Sequence, residues 1–418
     1  MFDEVIKENR IPAEVHTIRT VEALEKRLRS YYFFRGLQKS SLFLKRMETC
    51  RHYLYVLAES DKERAPSSIA KDLGLHHSIP NRWMQGQLPD LIRLAIQIPQ
   101  QEPKANHKWL PLRFESKFTP TAFIQVPVKV HDFNQISSVV NQISPVQLDH
   151  KGLITDELQH ISKMDAFAYV LGLLLRRSEK QGSYELPMKI VFALSKEYGW
   201  AKQAGETVCF LLGLLGIRTS KIRGSGPEEV TKNRFSWRTG RSPLISWMLQ
   251  SVLGIKKAGD LTSLMKYASW LHRAPFEVRL KFLQALFDYS GSVSVSSQVV
   301  SLTCTGFERY VLELLETVGI ESGQEGYQVR IRKKRAINRA ALLPIFWQAT
   351  SRRKNIKKLV EMLAARQGRG RKAYPPQIVK RIKELADEGL AFGAIAEKIY
   401  DESGISLPKT TIRRLSTK

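Results

Sequence analysis

The sequence predicts an α+β fold, in which a central domain repeats one order of helices and strands twice and a helical domain stands at each end. Two apolar segments, 169–178 and 282–292, each carry a small residue inside a helical pattern, and each precedes a glycine and a strand-like run. After both segments, short alternating stretches are interleaved with longer apolar ones. Two copies of one order of elements indicate an internal duplication.

At 418 residues, the chain is long enough for two to four domains, each with its own core. We expect an N-terminal helical region with a helix-turn-helix at 1–88, a connector or small subdomain at 89–155, the double repeat at 156–366, a basic linker at 367–376, and a C-terminal helix-turn-helix at 377–418.

The net charge is the most unusual property of the composition. Lysine and arginine number 66 against 40 acidic residues, which gives a formal net charge of +26. A surplus of this size indicates a polyanionic partner, most often nucleic acid. A protein that is merely basic stays an alternative. An anionic membrane surface is disfavoured, because no long basic amphipathic helix lies outside segments with better assignments.

The cysteines and the first ten residues indicate the cellular compartment of the protein. Cys50, Cys209 and Cys304 are far apart and match no zinc-ligand spacing, so we expect buried thiols in a reducing cytoplasm. Residues 1–10 lack the pattern of a secretory signal, and no apolar run is long enough to span a bilayer. We expect a cytoplasmic protein. Because no nucleotide-binding or nucleophile motif occurs, we expect no cofactor and no bound metal.

Residues 66–86 have the pattern of a helix-turn-helix. Ile69 and Ala70 would face inward on the first helix, Gly74 would make the turn, and Trp83 would anchor the second helix. Pro80 falls in the first turn of that second helix, where proline is tolerated. The polar residues left to face a DNA major groove are His76, His77, Ser78, Asn81 and Arg82. An ordinary helical hairpin is the alternative.

The neighbouring stretches are less specific. Residues 14–59 carry an apolar stripe between charged residues, which predicts helix. Prolines interrupt 87–150, where 121–130 is strand-like. The sequence leaves open whether this part is a small subdomain or a structured connector.

The central elements follow from alternation and from apolar periodicity. In the first copy, Ile190, Phe192 and Leu194 alternate with their neighbours, as Val300 and Leu302 do in the second. The first copy predicts a strand at 188–195, a helix at 201–215, strands at 218–223 and 234–238, and a helix at 244–253. The second predicts a strand at 300–305, a helix at 308–318, a strand at 327–333 and a helix at 337–349.

The two apolar segments resemble the paired motif helices of single-chain LAGLIDADG homing endonucleases. They read YVLGLLLRRS and FLQALFDYSGS, with Gly172 and Ala285 at places where two helices could cross closely. The resemblance covers about half of the chain. It implies two pseudo-symmetric αββαββα repeats, and a pseudo-dimeric core that works as a monomer.

The catalytic acids of that family are missing at the matching positions. In the family, each motif helix brings one acid to the centre, where the acids hold a divalent metal over the scissile phosphates. This sequence has Arg177 and Ser290 there. An arginine would repel the cation that an aspartate binds. The resemblance therefore implies a retained scaffold without catalytic residues, and a protein that is not an enzyme.

Two rival functions stay open. An active homing endonuclease could use displaced acids, Glu179 or Asp288, although two residues along a helix turn a side chain by about 200°. Asp288 also matches an earlier acidic position of the motif, which is more often a capping or structural residue. The other rival is an RNA-binding intron maturase, since some members of the family assist splicing.

The resemblance also implies that the sheet of each repeat lies in a DNA major groove. Alternation assigns these basic residues to the outward faces: Arg234 and Arg238, with Ser236 between them, in the first copy, and Arg330, Arg332 and Lys334 in the second. Apolar neighbours such as Trp237 and Ile331 would point to the core. Further cations expected to contact phosphates are Arg352, Arg353, Lys354, Lys357 and Lys358.

The C-terminal part predicts a flexible arm and a second helix-turn-helix. The linker is basic and contains glycine, and its Arg369 and Arg371 are expected to contact DNA. Beyond it, Ile395 and Ile399 would face inward and Gly404 would make the turn. The residues expected to contact DNA from the last helix are Lys409, Thr410, Arg413 and Arg414.

Together, these features predict sequence-specific binding of double-stranded DNA by a monomer associated with the nucleoid. The arrangement is similar to that of bacterial regulators that combine a degenerate homing-endonuclease domain with a helix-turn-helix. Regulation of transcription is the role that this similarity implies.

Overall fold

A computed structural model of the chain describes residues 18–116, 118–146, 158, 160–177, 187–221, 233–255, 261, 264–368 and 374–417. The chain divides into two compact units, Met1–Lys358 and Leu359–Lys418. Within the described residues, none of the helices has the length and apolarity that crossing a membrane requires.

The first unit opens with short helices. They are α1 (Val21–Arg29), α2 (Phe34–Gln38), α3 (Phe43–Ser60), α4 (Pro66–Asp72), α5 (Ser78–Met84) and α6 (Asp90–Gln97). Thr20 caps α1, because its hydroxyl accepts a hydrogen bond from the Ala23 amide at 3.1 Å. The described part of the predicted helical stretch 14–59 forms three helices.

Helices α4 and α5 are the two short helices that the sequence predicted for 66–86. Gly74 joins them with a φ of +62°, a conformation that glycine adopts without strain. Ile69 and Ala70 are buried, and the Trp83 ring meets the Tyr53 ring edge-on with centroids 5.8 Å apart. Pro80 is buried in the first turn of α5. The use of this pair as a DNA-binding helix-turn-helix stays a prediction.

The described residues between 89 and 155 are structured. An antiparallel hairpin of β1 (His107–Ser116) and β2 (Thr119–Pro127) follows α6, and α7 (Phe133–Asn141) follows the hairpin. Strand β2 corresponds to the predicted strand at 121–130, whereas β1 was not predicted. The hairpin joins its surroundings through hydrogen bonds, among them the one that the Trp247 indole donates to the Pro127 carbonyl at 3.0 Å.

The first half of the central region contains one three-stranded sheet. Its elements are α8 (Lys163–Arg177), β3 (Val191–Ser195), α9 (Ala201–Leu214), β4 (Thr219–Lys221), β5 (Arg234–Thr239) and α10 (Pro243–Trp247), which continues as a π-helical turn at Met248–Val252. The strands are antiparallel in the order β3-β5-β4. A short helix, α11 (Leu264–Tyr267), and a 3₁₀ turn at Ser269–Arg273 lead to the second half.

The second half contains a four-stranded sheet. Its elements are α12 (Phe276–Ser290), β6 (Gly291–Ser294), β7 (Val299–Thr303), α13 (Glu308–Thr317), β8 (Gly323–Glu325), β9 (Gln328–Ile331) and α14 (Lys334–Leu342). The strand order is β6-β7-β9-β8, so β7-β9-β8 repeats the order β3-β5-β4. The α+β fold class is confirmed. The pseudo-symmetric layout of the two halves stays a prediction.

Several element boundaries in the second half differ from those predicted. Helix α14 begins at Lys334 and ends at Leu342, because Pro344 follows, whereas 337–349 was predicted. The predicted strand 327–333 is shorter, since β9 ends at Ile331. The extra strand β8 was not predicted, because its three exposed residues show no apolar alternation.

Helices α8 and α12 cross closely at the centre. A Cβ atom on Gly172 would lie 2.6 Å from the Phe282 carbonyl oxygen and 2.9 Å from the Ala285 Cβ. Only glycine therefore fits at this point of α8, and the close crossing predicted at Gly172 and Ala285 is present. Apolar residues on both helices, such as Leu171 and Leu286, are fully buried around it.

The division between the two units falls within α15 (Thr350–Gly368), and the second unit contains α16 (Pro376–Asp387), α17 (Phe392–Ser403) and α18 (Lys409–Ser416). Six buried residues form its core: Ile382, Leu385, Ile395, Ile399, Leu407 and Ile412. Gly404, with a φ of +68°, ends α17 in the left-handed conformation. Arg381 ties α16 to α17 by pairing with Glu402 at 2.9 Å.

Candidate nucleic-acid interface

The outward face of the first sheet carries two arginines on its middle strand. Along β5, Arg234 and Arg238 are exposed, whereas Trp237 is buried on the opposite face. The predicted alternation of this strand is therefore present. Arg238 lies in register with Val191 on β3 and Ser220 on β4, and its Nε donates to the Ser220 hydroxyl at 3.2 Å.

The outward face of the second sheet is polar and also carries two arginines. Arg330 lies on β9 between Ser301 of β7 and Gly323 of β8. Its neighbours Val329 and Ile331 are buried, as predicted. Arg332 follows the end of β9 and is exposed. An open groove crosses this face, and the residues that line it are Ser294, Ser297, Gln298, Val299, Ser301, Gln328, Arg330 and Arg332.

The carboxylate of Glu325, which the sequence did not predict as part of the site, pairs with both arginines of the second sheet face. Glu325 Oε2 lies 2.6 Å from Arg330 Nη1 and also accepts a hydrogen bond from Arg332 Nη2. The Gln328 side-chain oxygen accepts from Arg330 Nε at 3.1 Å and from Nη2 at 3.0 Å. The hairpin turn between β8 and β9 creates this cluster, and its register was not evident from the spacing of the residues.

Lys334 does not belong to this face. It was predicted to share a strand face with Arg330 and Arg332, but β9 ends at Ile331 and Lys334 is the first residue of α14. The change from strand to helix at Lys333 ends the two-residue periodicity on which the prediction rested.

Asp288 is a structural residue and not a free carboxylate. Its side chain is 1% exposed, and Oδ2 accepts hydrogen bonds from the Tyr169 hydroxyl at 2.8 Å and from the Gln348 amide at 2.9 Å. Oδ1 accepts one from the Ala349 amide at 3.0 Å. Burial raises the pKa of Asp288 to about 6, although these hydrogen bonds act to lower it. A carboxylate bonded in this way is not directed at a metal ion.

Arg352 occupies the C-terminal end of α12. Its Nη1 donates to the Asp288 carbonyl at 2.5 Å and to the Phe287 carbonyl at 3.2 Å. Its guanidinium also lies over the Trp200 ring, 5.4 Å from the centroid. A cation at this end of a helix interacts favourably with the helix dipole. Arg352 is therefore engaged inside the protein, a role that the sequence did not predict, and its contact with phosphate stays a prediction.

The two positions predicted to replace catalytic acids lie at the ends of the central helices. Ser290 is the last residue of α12 and is partly buried. Arg177 is the last residue of α8, but its side chain lies outside the described part, as does all of Glu179. Among the described residues, no three histidine, cysteine, aspartate or glutamate side chains are grouped as metal ligands.

The predicted contact residues of the N-terminal helix pair are on the surface. His76, His77, Asn81 and Arg82 are exposed, and Ser78 is partly buried at the start of α5. The two histidine rings lie 4.2 Å apart, and Arg82 Nε donates to the Ser78 carbonyl at 3.3 Å. These side chains thus form one polar patch around the N-terminal end of α5.

The predicted contact residues of the C-terminal unit lie on its last helix. Lys409, Thr410 and Arg413 are exposed on α18, and Arg414 is partly buried. Ile412 is buried in the core of the unit, with Leu415 packed beside it. The other two predicted contacts, Arg369 and Arg371, lie outside the described residues.

Comparisons with known proteins give structural likenesses only. No family model matches the sequence, and no curated protein does. The homing endonuclease I-DmoI, in a structure with DNA and Ca, is 13% identical over 46% of this chain and 98% of its own, with a TM-score of 0.32.

Two structures of DUF199/WhiA are also similar to this chain. The N-terminal LAGLIDADG domain is 16% identical over 49% of this chain and 95% of its own, with a TM-score of 0.29. The full-length protein from Thermatoga maritima is 14% identical over 61% of this chain and 90% of its own, also with a TM-score of 0.29. One of these similar structures is a LAGLIDADG domain, the kind of domain that the two apolar segments resemble.

Proposed function

We propose that this chain binds double-stranded DNA in a sequence-specific way with the outward faces of its two central sheets, and that it regulates transcription rather than cutting DNA. The observation that carries the proposal is the matched placement of Arg238 and Arg330. Each lies on an inner strand of its sheet, on the outward face, with at least one small residue in register beside it.

The geometry of these faces suits a DNA major groove. The groove admits a β-ribbon, and a guanidinium can donate two hydrogen bonds to the O6 and N7 atoms of guanine. Ser220 beside Arg238, and Ser301 and Gly323 beside Arg330, leave room for a base edge because their side chains are short or absent. Two such faces in one chain can read an asymmetric site without a second copy.

The charge of the chain supports binding to the DNA backbone. The formal net charge is +26, and exposed lysines continue the positive charge along α15, namely Lys354, Lys357 and Lys358. Cations of this kind neutralise phosphates and release counterions without reading sequence. The helices that carry the patch around His77 and the exposed face of α18 would add further contacts of the same type.

The central helices favour a binder over a nuclease. A hydrolytic site needs carboxylates that hold a hard cation and are open to solvent. Asp288 is buried and accepts three hydrogen bonds, and Ser290 cannot carry a charge at the position of the second acid. We also propose that the protein acts as a monomer and that it is located in the cytoplasm, in association with the nucleoid.

The test is to select bound sequences from a random duplex library and then to incubate each recovered pool with Mg²⁺. We expect the recovered duplexes to share a long, asymmetric sequence motif and to remain uncut in the presence of Mg²⁺. Cleavage within the motif would make the chain a nuclease and overturn the regulatory part. Recovery of no motif, together with tighter binding of structured RNA than of duplex DNA at equal salt, would overturn the proposal as a whole.

A further inference from the structure

The two sheet faces differ in one charged group. Glu325 contacts both Arg330 and Arg332 on the second face. It lies two residues after Gly323, which pairs with Arg330. In the first sheet, Ser220 pairs with Arg238, and the residue two places after Ser220 in the sequence is Ile222. Within the described residues, the ion pairs on the sheet faces all lie on the second sheet.

The cluster around Glu325 fixes the Arg330 guanidinium. Two of its nitrogens donate to the Gln328 side-chain oxygen, and the third lies 2.6 Å from the Glu325 carboxylate. The Arg330 side chain is 29% exposed, against 53% for Glu325. The arginine is thus held against the strand while the carboxylate faces solvent, and a group fixed before binding loses less entropy when it binds.

We propose that Glu325 makes the second sheet selective for a G·C base pair, an inference that rests on the proposed binding of duplex DNA. In the major groove, a G·C pair presents the guanine O6 and N7 acceptors next to the cytosine N4 donor. The guanidinium of Arg330 matches the acceptors, and the carboxylate of Glu325 matches the donor. An A·T pair at this place offers an adenine donor where the arginine needs an acceptor.

The same carboxylate weakens binding to phosphate alone. Glu325 offsets part of the positive charge of Arg330 and Arg332, and it would repel a phosphate that approached them. The first sheet has no carboxylate on its described face, so Arg234 and Arg238 would bind phosphate or bases with less discrimination. We therefore infer that the second sheet discriminates strongly between base pairs in its half of the DNA site, and that the first sheet accepts several base pairs in the other half.

The test compares Glu325→Gln with Glu321→Gln. Both variants remove one negative charge, so they change the net charge equally. Glu321 pairs with Lys333, which follows the end of β9, and so its charge lies beside a different cation. Glu325 is more than half exposed, so glutamine fits without repacking of the core. The probes are the duplex selected by the wild type, the same duplex with each G·C pair replaced in turn by A·T, and a random duplex.

The Glu325→Gln variant is expected to lose about tenfold in discrimination at one G·C position, because one good base contact separates right from wrong bases by that order. Its binding to random duplex should tighten, and the slope of log affinity against log salt should steepen by about 0.9 for each additional phosphate that the variant neutralises. Glu321→Gln should keep the wild-type discrimination at every position, even where the release of Lys333 tightens its binding.

Two results would overturn the inference, and they are distinguishable. If the wild type selects a motif and Glu325→Gln keeps its discrimination at every G·C pair, the charge of Glu325 does not set the selectivity and the inference is overturned, while the proposed function stands. The same holds if Glu321→Gln loses discrimination equally, because charge alone would then explain the effect. If the wild type binds no duplex at all, the proposed function and this inference are both overturned.

Discussion

The Tyr169 hydroxyl donates a hydrogen bond to Asp288 Oδ2 over 2.8 Å, and this bond joins the two central helices α8 and α12. The same carboxylate accepts the backbone amides of Gln348 and Ala349, which immediately precede α15. Arg352 then returns from the first turn of α15 to the carbonyls at the end of α12. Asp288, the acid that a displaced nuclease site could have used, therefore connects helices α8 and α12 to the start of α15.

Replacing Asp288 with asparagine should destabilise the protein. In either orientation, the NH2 group of the asparagine would face one of the two backbone amides, Gln348 or Ala349, which are themselves donors, and a buried donor left unpaired costs about 1–3 kcal/mol. Chemical denaturation measures this change in the free energy of unfolding. Tyr169→Phe is the matched comparison, because it removes one hydrogen bond and should cost only about 0.5–1.5 kcal/mol. Equal stability of Asp288→Asn and the wild type at every pH between about 4 and 7 would contradict the structural role.

The contribution of Asp288 to stability should depend on pH. Burial raises its pKa from the ordinary value of 3.8 to about 6, so the folded protein binds the proton more tightly than the unfolded chain does. The stability that this proton contributes is fully present below the unfolded pKa and is lost as the pH rises through the folded pKa. A shift of about two pKa units corresponds to about 3 kcal/mol.

This pH dependence is measured as the difference in unfolding free energy between the wild type and Asp288→Asn. The difference should shrink as the pH rises from about 4 to about 6. Other carboxyls titrate equally in both proteins, so their effect cancels in the comparison. A difference that stays constant over this window would mean that Asp288 does not titrate there.

Replacing Gly172 with alanine should force the central helices apart. The new Cβ would lie 2.6 Å from the Phe282 carbonyl oxygen, which is a backbone atom and cannot rotate away. Overpacking of this kind costs about 1–3 kcal/mol. Gly199→Ala is the control, because a Cβ there meets nothing within 4 Å. Thermal unfolding should separate the two variants, and equal melting temperatures would contradict the close crossing.

The parts of the fold that the sequence predicted are those with strong periodicity. Helices α8 and α12 have apolar residues on all sides because both are buried in the core, and the small residue in each marked the crossing. Strand β5 kept its alternation because one face is buried behind Trp237. Strands β1 and β8 were missed for the opposite reason. Pro111 interrupts β1, and β8 is exposed at a sheet edge, so neither carries a clear pattern.

The site was predicted less completely, because its contacts depend on tertiary register. The outward positions of the arginines on β5 and β9 follow from alternation within a strand. The pairing of Glu325 with Arg330 follows from how β8 and β9 align, and the sequence spacing does not reveal that alignment. Arg352 belongs to a run of basic residues, so the sequence predicted only a phosphate contact for it. Its hydrogen bond to the Asp288 carbonyl depends on the fold, which places the end of α12 beside the first turn of α15.

Replacing Arg330 with alanine should weaken binding to the selected duplex. Removing a base contact costs about 1–3 kcal/mol and relaxes discrimination at that position. The control is Arg309→Ala, which removes the same charge from an exposed site on α13 where the arginine pairs with Glu313. Titration of both variants against the selected duplex measures the difference. If Arg309→Ala weakens binding as much as Arg330→Ala does, the sheet face makes no specific contact.

Replacing both Lys409 and Arg413 with alanine should lower affinity for every duplex and reduce the dependence on salt. Both side chains are exposed on α18, whereas Ile412 is buried, so their removal leaves the core of the C-terminal unit intact. The slope of log affinity against log salt should fall by about 0.9 for each phosphate that the variant no longer neutralises.

The control variant carries Lys380→Ala and Lys398→Ala. It removes two exposed charges from α16 and α17 of the same unit and should leave the slope close to that of the wild type. An unchanged slope in the first pair would mean that α18 does not contact DNA, and an equal fall in both pairs would mean that the unit acts only through its total charge.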